Sequence, residues 1–412
     1  MTIKQSASKK RELGNNLRAK KAKKESIPVL LRQLMQVVAA ESVGQAEMIE
    51  ALMLGIISGH HVLFIGPPGC NKTGLIDSLI KRIAKARLFM TTMNKFAEPD
   101  ILLGPISIAG LKADKLVRNH KGYLPDADFA FIGEIFSGNA STLPVLNRVL
   151  NERQIEEEGQ RIDLPLRSVF ADTNWYPQQQ LAAVYDRFLL RHVVGYLGTN
   201  DTAAFTALME LPAPEKAPDP VIDLHSLLNA VAAAQCVDVP GPIVLELFEI
   251  RTKLHSEQLQ ISDRRWKQSL DVVRSAAYLD GRTVVEQADL YALRFVLWAQ
   301  AKDIKPMQDV IDPYKEKRVD DAAKSSVEEA IKIFKTAANS RDVSSRMDAA
   351  SVLDKIAERT QPPYAGFVSA LEDSLTSLIT DDTVLTAGEA EDAVKQIIAA
   401  QKVYLRQIKR AN

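Results

Sequence analysis

The chain has 412 residues, and at roughly 150 residues per domain this length predicts two or three domains. Hydrophobic residues make up 46% of the sequence and charged residues 25%, which is the balance of an average soluble protein. Because 52 Lys and Arg residues equal 52 Asp and Glu residues, the chain as a whole has no net field that attracts nucleic acid or anionic lipid, so any such affinity must be local.

The first 27 residues are predicted to form a flexible basic tail. Their Lys and Arg residues face only Glu12 and Glu25, and their apolar positions are too few to build a core. A nucleic-acid-binding arm is the alternative for this segment. The longest apolar stretch, from Met48 to Ile65, is interrupted by an acidic residue and by histidines, and the first residues have no apolar stretch of signal-peptide length. We therefore expect neither a secretion signal nor a membrane span.

The cysteines and histidines argue against a disulfide framework and a metal centre. Cys70 and Cys236 are too few for such a framework, so we expect a reducing compartment and predict a cytoplasmic protein. The six histidines show no metal-ligand spacing, and two cysteines cannot close a zinc site by themselves.

After the tail, the hydrophobic pattern predicts two helices and a buried strand. Apolar residues recur at helical spacing over Val29–Val38 and over Met48–Ser58, with Gly44 and Gln45 between them. The run from His61 to Ile65 is short and apolar and ends at Gly66, which is typical of a strand in a parallel sheet.

Further strands alternate with helical stretches and predict a doubly wound α/β domain over residues 28–210. The predicted strands are Leu88–Met90, Phe129–Ile132 and Ser168–Ala171. A proline-rich segment at residues 211–220 indicates a domain boundary. Residues 211–302 have helical patterns throughout and are predicted to form an α-helical second domain. Residues 303–412 are predicted to be a helical C-terminal extension that could serve as an interaction module.

The segment at the carboxyl end of the first strand has the composition of a phosphate-binding loop. It consists of Gly66, Pro67, Pro68, Gly69, Cys70, Asn71, Lys72 and Thr73 and continues into Gly74. Glycines let the backbone donate several N–H groups to phosphate oxygens, Lys72 can reach the β and γ phosphates, and the hydroxyl of Thr73 can bind Mg²⁺. Asn71 replaces the glycine that usually precedes the lysine. A chance Gly/Pro loop is the alternative.

A second part of such a site is a buried strand that ends in an acidic pair, one carboxylate for Mg²⁺ and one for the attacking water. The strand Phe129–Ile132 is followed by Gly133 and Glu134, so only the second carboxylate is present. Asp172, on the strand expected to lie beside this one, is a candidate for the missing oxygen ligand. The alternative is that Asp172 is an ordinary strand-end residue.

The ordered set of motifs closely resembles the MoxR family of AAA+ ATPases, and within it the RavA-type subgroup, over residues 28 to 300. The motifs are Val43-Gly44-Gln45, the phosphate loop, Gly122–Ala127, Leu146–Gln154, Asn174, Asp186-Arg187-Phe188 and Ser262–Trp266. The resemblance implies a P-loop core, in which a parallel sheet is flanked by helices, followed by an all-α lid.

The resemblance also implies roles for individual residues. Val43, Gly44 and Gln45 would contact the adenine, although a plain helix-helix turn is the alternative. Asn174 matches the sensor-1 residue that contacts the γ phosphate. Arg187 resembles an arginine finger that reaches into a neighbouring subunit, with a surface Arg paired to Asp186 as the alternative.

Three further arginines and one insert have less specific matches. Arg264 resembles the sensor-2 arginine that couples the lid to the nucleotide state, and Arg265 is a weaker contender for that role. Arg148 and Arg153 could face a subunit interface or solvent. The segment from Leu102 to Leu124 resembles the helix-2 insert of the family, whereas composition alone predicts a loop and a hairpin.

The implied function is a homo-oligomeric ring, most commonly a hexamer, that uses ATP/ADP and Mg²⁺ to remodel a client protein complex. A von Willebrand factor A (vWA) domain protein is the implied partner. Because position 133 has no carboxylate, a nucleotide-binding scaffold or switch with impaired hydrolysis is the alternative. A nucleic-acid motor is a third hypothesis, against which the zero net charge argues.

Overall fold

The computed structural model describes residues 26–139, 141–176, 181–198, 201–211, 218–359, 365–380 and 383–397. The chain divides into two compact units, residues 1–311 and residues 312–412. The predicted basic tail, apart from its last two residues, and most of the proline-rich segment lie outside the described residues. The predicted boundaries at residues 27, 210 and 302 stay predictions.

The first unit contains a five-stranded sheet in the order β3-β4-β7-β1-β8. Its strands are β1 (Val62–Ile65), β3 (Leu88–Thr92), β4 (Phe129–Gly133), β7 (Ser168–Thr173) and β8 (Leu190–Val193), and neighbouring strands all pair in parallel. Because the strands are parallel, all their carboxyl ends lie at one edge, which we call the carboxyl edge; the opposite one is the amino edge. Short apolar runs form these strands because both faces of a parallel sheet are covered.

Shorter strands lie outside the central sheet. They are β2 (Ile83–Ala84), which pairs with β9 (Ile222–Asp223), and the antiparallel hairpin of β5 (Gln154–Glu157) and β6 (Gln160–Asp163).

Helices of the first unit cover the sheet and continue beyond it. They are α1 (Ile27–Ala39), α2 (Ala46–Ser58), α3 (Lys72–Lys81), α4 (Asp100–Leu103), α5 (Ile108–Lys112), α6 (Thr142–Glu152), α7 (Ala182–Tyr185), α8 (Thr202–Glu210), α9 (Leu224–Gln235), α10 (Gly241–Ser256) and α11 (Asp263–Leu279). Short 3₁₀ segments occur at Leu124–Asp126, Ile135–Ser137 and Gln287–Phe295. The predicted α/β core with a helical lid is confirmed.

Helix α2 is the centre of this core. Apart from the partly exposed Glu50, every residue from Met48 to Ser58 is buried, because the helix packs on β1, β7 and β8 and is also contacted by α1, α9 and α11. An apolar sequence around the whole helix circumference is expected of a helix that is covered on all sides. Both predicted helices, Val29–Val38 and Met48–Ser58, are confirmed by α1 and α2.

The segment predicted as an insert, Leu102 to Leu124, forms α5 and an isolated antiparallel bridge between Ile106 and Arg118, and α4 ends within it. The apolar side chains of Ile108, Leu111 and Leu116 are exposed there.

The second unit is helical throughout its described residues. It comprises the later part of α12 (Ala301–Ala338), α13 (Val343–Arg359), α14 (Ala365–Thr380) and a helix over residues 387–397. Its core includes Phe334, Leu353, Leu371 and Val394.

Helix α12 continues through Pro306, close to the boundary predicted at residue 302. Met307, Ile311 and Tyr314 are buried at spacings of four and three residues and so lie on one face of the helix. Burying this face offsets the backbone hydrogen bond that the proline removes.

Candidate functional site

The predicted phosphate loop lies at the carboxyl edge, between β1 and α3. Gly66 follows β1 directly, and its N–H donates to the carbonyl oxygen of Thr173 on β7 at 3.0 Å. An ideal Cβ at position 66 would lie 2.0 Å from the carbonyl oxygen of Val194, beyond the end of β8. Only glycine fits here, so the loop begins at a point where three strands converge.

The loop ends where α3 begins, at Lys72. Asn71 precedes the helix with a left-handed backbone (φ 52°), which asparagine tolerates better than most residues other than glycine. A Cβ at position 74 would lie 2.2 Å from Oδ1 of Asn71, so the asparagine side chain occupies the space beside Gly74. The Thr73 side chain is exposed at this helix N-terminus.

The Lys72 ammonium is buried, with 4% of its side chain exposed, and it contacts three oxygens. Nζ donates to the carbonyl oxygens of Gly66 at 2.7 Å and Pro67 at 3.3 Å, and it lies 3.1 Å from Oδ2 of Asp172. The lysine therefore lies inside its own loop, next to a carboxylate from β7.

The carboxylates of the site come from two neighbouring strands. Ile132 on β4 pairs with Ala171 on β7, so Gly133 and Asp172 are the next residues on the two strands. The backbone N–H of Glu134 donates to Oδ1 of Asp172 at 2.9 Å. This hydrogen bond joins the acidic end of β4 to β7.

Glu134 lies beside Asn174, whose Nδ2 donates to Oε1 of the glutamate. Partial burial, together with the negative charge of Asp172, raises the pKa of Glu134, and the nearby Lys72 opposes that shift. A carboxylate that is held in position and has a raised pKa is suited to accept a proton. The structure thus brings together Lys72, Glu134 and Asn174, and it places the candidate residue Asp172 in contact with this group.

The predicted adenine-side residues line a cavity of about 650 Å³, which we call the base-side cavity. Its lining includes Val43, Gly44, Gln45, Gly69, Cys70, Asn71, Tyr196 and Leu197. Nε2 of Gln45 donates to the carbonyl oxygen of Cys70 at 2.6 Å, whereas its Oε1 is buried and has no hydrogen-bond partner among the described residues. Gly44 has φ +71°, and a Cβ there would lie 2.6 Å from Leu197, so this position requires glycine.

Arg187, the predicted arginine finger, and Arg264, the predicted sensor-2 residue, are both hydrogen-bonded to helix α6, away from the phosphate loop. Nε of Arg187 donates to Oδ1 of Asn147 at 3.2 Å, and Nη2 of Arg264 donates to Oδ1 of Asn151 at 3.3 Å. The neighbouring Leu150 carbonyl is bonded to His61, which precedes β1, so this end of α6 lies at the amino edge. Within one chain, these arginines are not brought to Lys72.

Arg265 is the next residue of α11 and is buried, whereas Arg264 is exposed. Arg265 donates to the carbonyl oxygens of Val296, Phe188 and Leu189 at 2.7, 3.1 and 2.7 Å. Burial, and then the positive charge of Arg191, lower the pKa of Arg265 to about 9. Its donors are used by the fold, so it is a structural residue here.

The other two arginines that were considered for an interface also have partners within the chain. Arg148 pairs with Glu156 at 2.6 Å, and Arg153 donates to the carbonyl oxygens of Gly59 and Arg167.

Two further residues at the site were not identified from the sequence. The hydroxyl of Thr92, at the end of β3, would lie 3.0 Å from a Cβ at position 133. The hydroxyl of Tyr196 donates to the carbonyl oxygen of Pro68 at 3.0 Å. Neither residue belongs to a motif, and only strand pairing and loop packing bring them to the site.

The described ranges contain neither a cluster of metal-ligating side chains nor a membrane-spanning helix. In these ranges, no group of three or more His, Cys, Asp and Glu side chains is arranged to hold a metal ion. No helix among the described residues is both long enough and apolar enough to cross a membrane.

Comparisons with known proteins match the same regions. A family model described as the MoxR domain in the MoxR-vWA-beta-propeller ternary systems matches residues 29–210, and an AAA lid domain model matches residues 242–311. Two uncharacterized proteins of Methanocaldococcus jannaschii are 36% and 37% identical to this chain over 283 and 255 residues. These alignments cover 67% and 61% of this chain and 73% and 67% of the two relatives.

A solved structure supports the fold. The crystal structure of a proposed ATPase from Cytophaga hutchinsonii superimposes with a TM-score of 0.57 at 18% sequence identity. The match covers 71% of this chain and 94% of that one, and at this identity it shows the fold alone.

Proposed function

Because this chain belongs to the MoxR family of AAA+ ATPases, we propose that it binds and hydrolyses ATP in a homo-oligomeric ring and uses the cycle to remodel a client protein complex. The observation that carries this proposal is the convergence of Lys72, Glu134 and Asn174 at one edge of the sheet. The RavA-type subgroup and the hexameric ring remain finer predictions within it.

The residues present fit a nucleotide. The loop from Gly66 to Thr73 offers backbone N–H groups and the Lys72 ammonium to phosphate oxygens. The unpartnered Oε1 of Gln45 lines the base-side cavity, where it can accept a hydrogen bond from an amino group of a base. When bound, Mg²⁺ offsets phosphate charge, and Thr73 is the residue expected to ligate it.

The side chains at the end of β4 are suited to activate water. Glu134 is the expected proton acceptor, since its raised pKa lies closer to the pH of the reaction than that of an exposed glutamate. Asn174 holds Oε1 of this glutamate and so fixes the direction in which its carboxylate points. Lys72 provides the fixed positive charge of the site.

The positions of Arg187 and Arg264 favour action between subunits. Within the part of the chain that the structure describes, each is held by one hydrogen bond to an asparagine of α6 at the amino edge, so either guanidinium can leave its partner at low cost. In a ring, such residues can reach the phosphate loop of the neighbouring subunit and offset charge on the transferred phosphoryl group.

The matched family model is described from ternary systems that combine a MoxR domain, a vWA domain and a β-propeller. This description supports a vWA domain protein as the partner. The exposed apolar residues Ile108, Leu111 and Leu116 offer a contact surface for a partner or client.

The second candidate function is a nucleotide-dependent switch or scaffold with very slow hydrolysis. The observation that favours it is Gly133, which has no carboxylate where the family motif places one. Losing one such group can cost a few kcal/mol of transition-state stabilisation, and each 1.36 kcal/mol is about tenfold in rate.

Steady-state ATPase assays on the full chain distinguish the two functions. Wild type is expected to turn over ATP above the background set by Lys72→Ala, and Glu134→Gln is expected to keep nucleotide binding and lose turnover. Lys81→Ala is the matched control, because Lys81 lies at the exposed end of the same helix and forms an ion pair with Asp77, away from the loop. Nucleotide-dependent rings without turnover in wild type would establish the switch.

Ring formation and the partner need separate measurements. Analytical ultracentrifugation with ADP, with a non-hydrolysable ATP analogue and without nucleotide gives the oligomer size. Affinity purification from the native organism should recover a vWA domain protein with wild type and less of it with Lys72→Ala. A monomer under all conditions would contradict the ring.

A further inference from the structure

The carboxyl end of β4 has a gap in its side-chain layer, and the neighbouring strand fills it. An ideal Cβ at Gly133 would lie 3.5 Å from Oδ1 of Asp172. The aspartate carboxylate therefore occupies the region into which a side chain at position 133 would extend, although it originates one strand closer to the phosphate loop.

Both oxygens of this carboxylate are fixed in place. Oδ1 accepts the backbone N–H of Glu134 at 2.9 Å, and Oδ2 lies 3.1 Å from Nζ of Lys72. Its side chain is 13% exposed, so it is neither free on the surface nor sealed in the core. An ordinary strand-end aspartate has no reason to contact both the phosphate-loop lysine and the backbone of the proton-accepting residue.

We propose that Asp172 supplies the magnesium-positioning carboxylate that position 133 lacks, so that the acidic pair of the site is divided between β7 and β4. This inference rests on the proposed function, since it requires that the chain bind nucleotide with Mg²⁺. A carboxylate oxygen is the ligand type that Mg²⁺ prefers, and Mg²⁺ is commonly bound by one or two carboxylates together with phosphates. Phosphate would give Lys72 another anionic partner, which leaves Oδ2 available to the cation.

The test measures the affinity of the full chain for a fluorescent ATP analogue, first with Mg²⁺ and then with EDTA. Asp172→Asn keeps an oxygen that accepts the Glu134 N–H but removes the charge. We expect it to lose most of the gain in affinity that Mg²⁺ gives wild type, by on the order of tenfold to a hundredfold. Asp77→Asn, with the same change of charge on α3, should behave as wild type.

A second variant tests whether a carboxylate at position 133 can replace that of Asp172. Gly133 does not have a positive φ, and the groups nearest its ideal Cβ are the hydroxyl of Thr92 at 3.0 Å and the Asp172 carboxylate. Gly133→Asp in the Asp172→Asn background returns a carboxylate to the site and should recover the Mg²⁺ effect. Thermal unfolding of each variant shows that it is folded.

The outcomes separate this inference from the proposed function. If wild type binds the analogue more tightly with Mg²⁺ and Asp172→Asn keeps that difference within twofold, Asp172 is not the positioning residue. An equal loss with Mg²⁺ and with EDTA would overturn the inference as well, since Asp172 would then serve only Lys72. If wild type, like Lys72→Ala, binds no nucleotide under either condition, the proposed function itself fails and the inference fails with it.

Discussion

The two edges of the central sheet both carry charged side chains, but these charges have different kinds of partner. At the amino edge, Arg265 donates mainly to backbone carbonyl oxygens and has one longer contact, of 3.4 Å, with the exposed Asp186 carboxylate. Arg191 donates to the carbonyl oxygens of Trp298 and Tyr185 at 2.8 and 3.1 Å. At the carboxyl edge, the main charged partner of Lys72 is the side chain of Asp172. A ligand cannot displace backbone carbonyls that are held within the fold, whereas it can displace a side chain or the carbonyl of a loop.

This difference shows that a shifted pKa alone does not identify a functional site. Burial lowers the pKa of Arg265 to about 9, yet its donors are already used by the fold. A cavity of about 880 Å³ borders this arginine and Arg191 and is larger than the base-side cavity. The smaller, base-side cavity adjoins the phosphate loop, where a ligand can replace the partners of Lys72. It is therefore the better candidate for a ligand site.

Arg187 should give the largest effect, because it lies near the amino edge and, among the described residues, its guanidinium is hydrogen-bonded to Asn147 alone. Arg187→Ala should lower kcat by about a thousandfold, the range of an arginine finger, while nucleotide affinity and the free energy of unfolding stay close to wild type. The ATPase assay and equilibrium nucleotide binding check both parts.

Mixing subunits decides whether this arginine acts between them. Arg187→Ala subunits have intact phosphate loops, and Lys72→Ala subunits have intact arginines. A mixed ring therefore contains some complete sites, and its activity should exceed that of either variant alone. If mixing gives no recovery although mixed rings form, Arg187 acts within its own chain or not at all.

Arg265→Met should have the next largest effect, and we expect it on the free energy of unfolding rather than on kcat. The substitution leaves several buried carbonyl oxygens without donors, which should lower the free energy of unfolding by about 3 kcal/mol or more. Arg264→Met, one residue away but exposed, should change it by less than about 0.5 kcal/mol. Chemical denaturation of both variants measures the difference, and equal losses would contradict the division of roles along α11.

How far the sequence predicted the molecule depends on whether a feature is local. The strand β1, the phosphate loop and the buried helix α2 follow from short runs of residues, and all were predicted. Strand β8 was missed because Arg191 and His192 interrupt its apolar run; burial among carbonyls makes the arginine acceptable there.

Features that depend on pairing could not be found in the same way. Adjacent positions on a helix point about 100° apart, so only packing shows that Arg265 turns inward while Arg264 stays exposed. Asp172 was recognised as a candidate, but the sequence could not show that its carboxylate reaches the side of Gly133, because that depends on the register between β4 and β7.

His61 supplies a pH test of the amino edge. Its Nδ1 accepts the N–H of Val169 at 2.9 Å, so Nε2 carries the proton and donates to the Leu150 carbonyl oxygen at 2.9 Å. This arrangement requires a neutral ring, and burial lowers the pKa of His61 to about 3.

The sign of the effect follows from proton binding. Below the ordinary pKa of about 6.5 the unfolded chain binds a proton at this residue and the folded chain does not, so stability is lost as pH falls from 6.5 towards 3. His61 should contribute about 1.4 kcal/mol of lost stability per pH unit. His61→Asn should show a shallower slope between pH 6 and pH 4 in denaturation experiments. An unchanged slope would mean that the ring is already charged in the folded protein.

The smallest effect concerns Asn71, which replaces the usual glycine at the end of the phosphate loop, and Gly74, which lies in the first turn of α3. Gly74→Ala alone should gain little, because the Cβ would meet Oδ1 of Asn71 and cancel the helix propensity that alanine adds. Asn71→Gly removes that obstacle. The double variant should therefore be more stable than the sum of the single changes by about 0.5 to 1 kcal/mol.

Thermal unfolding of the four proteins completes this double-mutant cycle. Gly241→Ala is the control, since it also lies in the first turn of a helix and no atom lies within 4 Å of its ideal Cβ. If the two changes at the loop are simply additive, the asparagine side chain does not lie over Gly74. The left-handed backbone of Asn71 would then have to be stabilised by the loop itself, and glycine at position 74 would need another cause.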